Sequence, residues 1–121
     1  MKYEITYAEL ANIYNLIARA DSKIYDLAVA GINYRNASDA YAASDYKPSA
    51  ALEMHYCYET REKAEKALLR IYSQLADALG LDKKQTYGDE GAWVSASKRC
   101  TDTFLYIAKR EALRLAKLAK I

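Results

Sequence analysis

The sequence predicts an all-α fold: an antiparallel up-down-up bundle of three long helices that self-associates. Three observations predict it. Apolar residues recur in steps of three and four along most of the chain, which is helical spacing. One proline and four glycines are the only strong breakers, and all but Gly31 fall where helices would end. No stretch alternates apolar and polar residues between turn signals, as strands do.

The first helix is expected over residues 7–44. Thr6 followed three residues later by Glu9 is a capping box, in which each side chain satisfies a backbone N–H that the first turn leaves unpaired. From there Leu10, Ile13, Ile17, Ala20, Ile24, Leu27, Gly31, Tyr34 and Tyr41 follow the spacing of a coiled-coil seam. Placing each residue about 100° further round the axis widens that seam to an arc that also holds Tyr7, Tyr14, Leu16, Tyr25, Ala28 and Ile32. Such an arc is wider than one neighbouring helix covers, so it calls for two neighbours, or one neighbour and a second subunit. Tyr7, Tyr14, Tyr25, Tyr34 and Tyr41 are therefore the candidate self-association surface. The second half of this helix is slender, with Ala28, Ala30, Gly31, Ala37, Ala40, Ala42 and Ala43, and would let another backbone approach closely.

Ser44 to Ser49 breaks that helix, because the residue before Pro48 is pushed out of helical geometry while Pro48 suits an opening turn. The second helix is expected over 48–79, with Ala50, Met54, Cys57, Ala64, Leu68, Ile71, Tyr72, Leu75, Ala78 and Leu79 as its inner stripe. Gly80 followed by Leu81 reads as a left-handed cap. A polar connection, longer than an antiparallel helix pair needs, runs to Gly91 and is a candidate contact segment. The third helix is expected over 91–120, with Trp93, Val94, Cys100, Phe104, Ile107, Ala108, Leu115, Leu118 and Ala119 on one side.

At 121 residues the chain is expected to form a single domain, residues 1–121, large enough to bury a core. No apolar leader follows Met1, and no apolar run approaches the roughly 20 residues of a membrane span, so a cytoplasmic protein without a membrane span is expected. Cys57 and Cys100 sit mid-helix on levels about 20 Å apart by helical rise, too far for a disulfide. They read as small core residues in a reducing compartment. Tyrosine is the compositional anomaly, with 12 copies against one Phe and one Trp. It buries a large area yet keeps a polar end, which suits surfaces that are wet when free and covered when bound.

Two constellations carry charge. From residue 92 onward seven Lys and Arg face two acids, although the whole chain carries only +2. Lys98, Arg99, Lys109, Arg110, Arg114 and Lys117, with Tyr106 among them, form a basic helix face, the minimum for a nucleic-acid surface. A solvated amphipathic face has the same pattern, and cations near a helix C-terminus are favoured by its dipole. The second constellation is a buried polar layer: Arg35, Arg61 and Glu111 fall within apolar stripes at nearly one level. An Arg61–Glu111 ion pair is expected there, with Arg35 and Asp39 beside it. Asp21 is a further charge within the first stripe, and the single histidine, His55, lies on an outer face near Glu59 and Glu62.

Function classes narrow accordingly. A lone histidine excludes His-rich metal sites, and the sequence holds no phosphate-cradling glycine loop, Cys-x-x-Cys pair or nucleophile elbow. No enzyme activity, cofactor or metal is therefore expected. The leading expectation is a non-catalytic interaction protein that docks a Tyr-rich helical surface on a partner macromolecule or on its own copies. In size and class it looks like the small helical accessory and inhibitor proteins carried by phages and mobile elements, and no motif narrows that to a family. Two alternatives are a nucleic-acid-binding protein using the basic face, and a small-ligand binder or enzyme using the polar layer.

Overall fold

A computed structural model describes residues 4–81 and 99–119, with side chains from Phe104 onward in the last stretch. Those residues are all-helical. Helix α1 spans Tyr7–Ala43, α2 spans Pro48–Leu79 and α3 spans Arg99–Ala119. The expected 91–98 start of the third helix lies outside the described residues, as do Trp93 and the 82–90 connection. No described helix is long and apolar enough to cross a membrane.

The helix ends follow their local chemistry. At the start of α1 the Glu9 N–H donates to Thr6 Oγ1 at 3.2 Å while the Thr6 N–H donates to Glu9 Oε1 at 3.3 Å, the reciprocal capping box. At the end of α2, Gly80 adopts a left-handed φ of 69°, and the Leu81 N–H donates to the Ala76 carbonyl at 2.9 Å, which closes the helix. The end of α1 uses the same closure without glycine. The Tyr46 N–H donates to the Tyr41 carbonyl at 3.1 Å and the Asp45 N–H to the Ala42 carbonyl at 3.3 Å. Asp45 and Tyr46 consequently hold φ values of 59° and 62°. Asp tolerates that region, whereas a bulky residue there is an outlier. The Tyr46 ring packs edge-on against Tyr41 with centroids 5.2 Å apart, and the Ser44 hydroxyl donates to the Tyr41 carbonyl at 2.8 Å. Both contacts support the turn.

The chain divides into two compact units. One comprises Met1–Ala20 and Leu69–Ile121, so it draws on the start of α1, the end of α2 and all of α3. Three helical segments enclose a core here. Ile13, Leu16, Ile17 and Ala20 come from α1, Ile71, Tyr72, Leu75, Ala76 and Leu79 from α2, and Phe104, Leu105, Ala108, Ala112 and Leu115 from α3. Tyr72 and Phe104 meet with ring centroids 4.6 Å apart and planes tilted by 55°, the offset geometry that aromatic pairs favour.

The other unit, Asp21–Leu68, contains the second half of α1, the 44–47 turn and the first part of α2. Tyr34 of α1 meets Tyr58 of α2 with centroids 5.6 Å apart, and the Arg61 guanidinium lies over the same Tyr34 ring at 6.0 Å. Only Ala30, Cys57 and Leu68 are buried hydrophobics among its described residues. Two helices side by side shield one stripe each, and here that stripe is largely small or polar. Oε1 of Glu65 is buried and has no hydrogen-bond partner among the described residues.

The uneven core predicts uneven mutational sensitivity. Phe104→Ala should lower unfolding stability by about 3–5 kcal/mol, as full removal of a buried aromatic does. Leu52→Ala, at a side chain 72% exposed, should change it by no more than about 0.5 kcal/mol. Urea denaturation followed by circular dichroism measures both.

Candidate interaction surface

The described surface of the Asp21–Leu68 unit is rich in large apolar side chains. Tyr25 is 71% exposed, Ile32 60%, Leu52 72% and Tyr56 65%, and Val29, Tyr46 and Tyr58 are also exposed. Helical geometry accounts for the pattern. Ala30, Tyr34 and Tyr41 point to the inner side of α1, and Tyr25 and Ile32 fall on the opposite side of the same helix. On α2, Cys57 is buried, while Leu52 and Tyr56 lie off its stripe. The five tyrosines expected to form one self-association surface therefore split. Tyr7, Tyr14 and Tyr25 are exposed, whereas Tyr34 and Tyr41 are half-buried in contacts with Tyr58, Arg61 and Tyr46.

The slender half of α1 does not receive a close neighbour at its glycine. A Cβ built on Gly31 meets nothing within 4 Å, and Ala28, Ala40, Ala42 and Ala43 are exposed. Glycine in a helix interior costs about 1 kcal/mol relative to alanine, and no contact within the unit offsets that cost.

The residues of the expected polar layer each make local contacts or face solvent. Arg35 and Asp39 are exposed, because Arg35 follows the inward Tyr34 by one residue and so sits about 100° away from it. Glu111 closes on its own helix: the Arg114 Nε–H donates to Glu111 Oε1 at 3.1 Å, and Nη2 reaches Oε2 at 2.9 Å. An arginine one turn away satisfies the carboxylate bidentately, and Arg61 stacks on Tyr34 instead of pairing with Glu111. These are the contacts that Arg61 and Glu111 make, each within its own unit.

The basic face is partly committed to local contacts. Lys98 lies outside the described residues and the side chain of Arg99 is not described. Arg110 lies over the Tyr106 ring at 5.7 Å, Arg114 is held by Glu111, and Lys109 is exposed but engaged. Lys117, in the last turn of α3, is exposed and placed to interact favourably with the helix dipole.

Remaining titratable groups are local as well. His55 Nε2 lies 3.1 Å from Glu59 Oε1 on an exposed face. Burial pushes the Cys57 thiol up from its ordinary range, and the Glu53 carboxylate, whose Oε1 is 3.8 Å from Sγ, pushes it further. A thiol kept neutral in this way is a poor nucleophile. Among the described residues no group of three or more His, Cys, Asp or Glu side chains could hold a metal ion.

Sequence reasoning missed Leu52 and Tyr56 as surface apolar residues. The signal was available, since each falls off the stripe formed by Ala50, Met54 and Cys57. Two tests follow. Glu111→Gln should cost about 1 kcal/mol or less, as for a partly exposed ion pair, and not the 3–5 kcal/mol of a broken buried pair; chemical denaturation decides between them. In a Cys100→Ser variant, Cys57 should react with a maleimide at pH 7.5 much more slowly in the native state than in urea. Because its folded pKa is raised, the stability that Cys57 contributes is complete below the ordinary thiol range and declines as pH rises through the raised value. Comparison with protein-family models, with curated proteins and with solved structures gives no match for this chain.

Proposed function

We propose that this protein acts by non-catalytic adhesion: it docks the apolar, tyrosine-bearing exterior of residues 21–68 on another macromolecule or on its own copies. In this reading the three helices run up-down-up, the Met1–Ala20 and Leu69–Ile121 unit supplies stability, and the remaining unit presents the docking surface. The observation that carries it is the distribution of apolar side chains. Among described residues, 14 of the 17 buried hydrophobics belong to the first unit and three to the second, while five large hydrophobics of the first and seven of the second are exposed. Single exposures are ordinary on protein surfaces, so the weight rests on how few buried hydrophobics the second unit has to set against its exposed ones. Tyrosine, leucine and isoleucine at such positions offer large area at small entropic cost, with hydroxyls that remain solvated until a partner arrives.

Nucleic-acid binding through α3 is the weaker reading, because Arg114 and Lys109 already have partners and Arg110 covers Tyr106. The two readings separate in one capture experiment. Replacing Tyr25, Ile32, Leu52 and Tyr56 together by serine should leave the helical content and the unfolding of the core unit unchanged, and should abolish capture of protein partners from nuclease-treated lysate. Reversing Lys109, Arg110 and Lys117 to glutamate should leave capture intact. Loss of capture on nuclease treatment, or on charge reversal alone, would contradict the proposal.

A further inference from the structure

Within the Asp21–Leu68 unit, Asp21, Tyr25, Ala28, Ile32, Arg35 and Asp39 follow strict alternating steps of four and three residues, and all six are exposed. Steps of that kind place residues on one helix face with the geometry of a coiled-coil seam; here the three central positions, Tyr25, Ala28 and Ile32, are apolar and the flanking three are charged. Helix α1 thus carries, opposite its covered stripe, a short exposed apolar stretch with charges at both ends.

We infer that this exposed stretch binds a second copy of this chain, α1 against α1 in opposite directions, about a two-fold axis beside Ala28. This rests on the adhesive reading above and names its occupant.

Charge selects the orientation and the register. A parallel pairing in register would set Asp21 against Asp21, Arg35 against Arg35 and Asp39 against Asp39, like against like at every charged position. Reversing one helix about Ala28 places Asp21 of each copy opposite Arg35 of the other, because both residues lie seven positions from Ala28. A two-fold interface repeats that pair twice, as isologous contacts require. Pairing Arg35 with Asp39 of the other copy instead would shift the axis toward the end of α1 and carry Tyr25 past the 44–47 turn, off the facing helix.

Size complementarity agrees with the same register. In a coiled coil each knob enters a hole formed by residues spaced as i, i+3, i+4 and i+7 on the facing helix. With the axis beside Ala28, Tyr25 enters the hole made by Ala28, Gly31, Ile32 and Arg35 of the second copy. That hole has the missing Cβ at Gly31, where a side-chain carbon would meet nothing within 4 Å in the single chain. It also has a guanidinium for the tyrosine ring to stack on. Ile32 enters the hole made by Asp21, Ile24, Tyr25 and Ala28, and the small Ala28 side chains face each other at the axis. Asp21 keeps its contact within its own chain and remains exposed, so the intermolecular pair adds to that contact.

Sedimentation equilibrium on the purified full chain tests the pairing. Wild type should show a concentration-dependent monomer–dimer equilibrium. Ile32→Asp should be monomeric over the same range with unchanged circular dichroism at dilute concentration. Asp21→Arg and Arg35→Asp should each raise the dimer dissociation constant by at least about tenfold, since each creates two like-charge contacts. Combining the two should return it to within about threefold of wild type, because the pair is restored with its signs exchanged. A wild type that stays monomeric at every concentration overturns the pairing. So does a dimer indifferent to the single reversals, or one that the double reversal does not restore. If the purified chain is monomeric yet the serine-replaced surface still loses capture of another protein, self-pairing fails while the adhesive reading stands.

Discussion

A helix excludes water only from the stripe that its neighbours cover, so the number of helical segments that meet at a given level decides how much apolar side chain can be buried there. Three segments meet around Tyr72 and Phe104, and the side chains there, from Ile13 to Leu115, are close to fully buried. In the Asp21–Leu68 unit two segments share the work. The apolar arc of α1 is as broad there as elsewhere, and Tyr25, Val29 and Ile32 are left in water. Everything proposed about function follows from that shortfall of cover.

The polar chemistry obeys a short-range rule. Glu111 finds Arg114, His55 finds Glu59, Lys66 finds Glu62 and Lys23 finds Asp26, all one turn apart on a single helix. Such pairs need little additional ordering and contribute a few tenths of a kcal/mol each, roughly. The turn at 44–47 is different in kind, because it holds Asp45 and Tyr46 in left-handed geometry and depends on the Tyr41–Tyr46 packing and the Ser44 hydroxyl to stay there. Backbone strain of this sort persists only where surrounding contacts determine it.

Much of the fold was legible in the sequence because its signals are local. Thr6-x-x-Glu9, Pro48 and Gly80-Leu81 mark helix ends through chemistry that spans a few residues, and α1 and α2 begin and end within a residue of the expected 7–44 and 48–79. What was least legible required levels and partners on different helices. The expected Arg61–Glu111 pair rested on a register between helices that the sequence does not encode, whereas Arg114, three residues from Glu111, was readable as a local partner. The tyrosine surface was legible only in part: periodicity placed Tyr34 and Tyr25 on one wide arc, but could not say that a tyrosine on α2 would cover the first and leave the second exposed. Leu52 and Tyr56 were readable as outward-facing, since both lie off the stripe of Ala50, Met54 and Cys57.

The central claim is that residues 21–68 lack internal cover and gain it from a neighbouring molecule. Hydrogen exchange of backbone amides as a function of protein concentration tests it most directly, since exchange reports local opening segment by segment. Amides of Ile13–Ala20, Ile71–Leu79 and Phe104–Leu115 should show strong protection that does not vary with dilution, and those of α1 beyond Asp21 weaker protection that rises with concentration. Equal protection throughout α1, independent of concentration, would contradict the account.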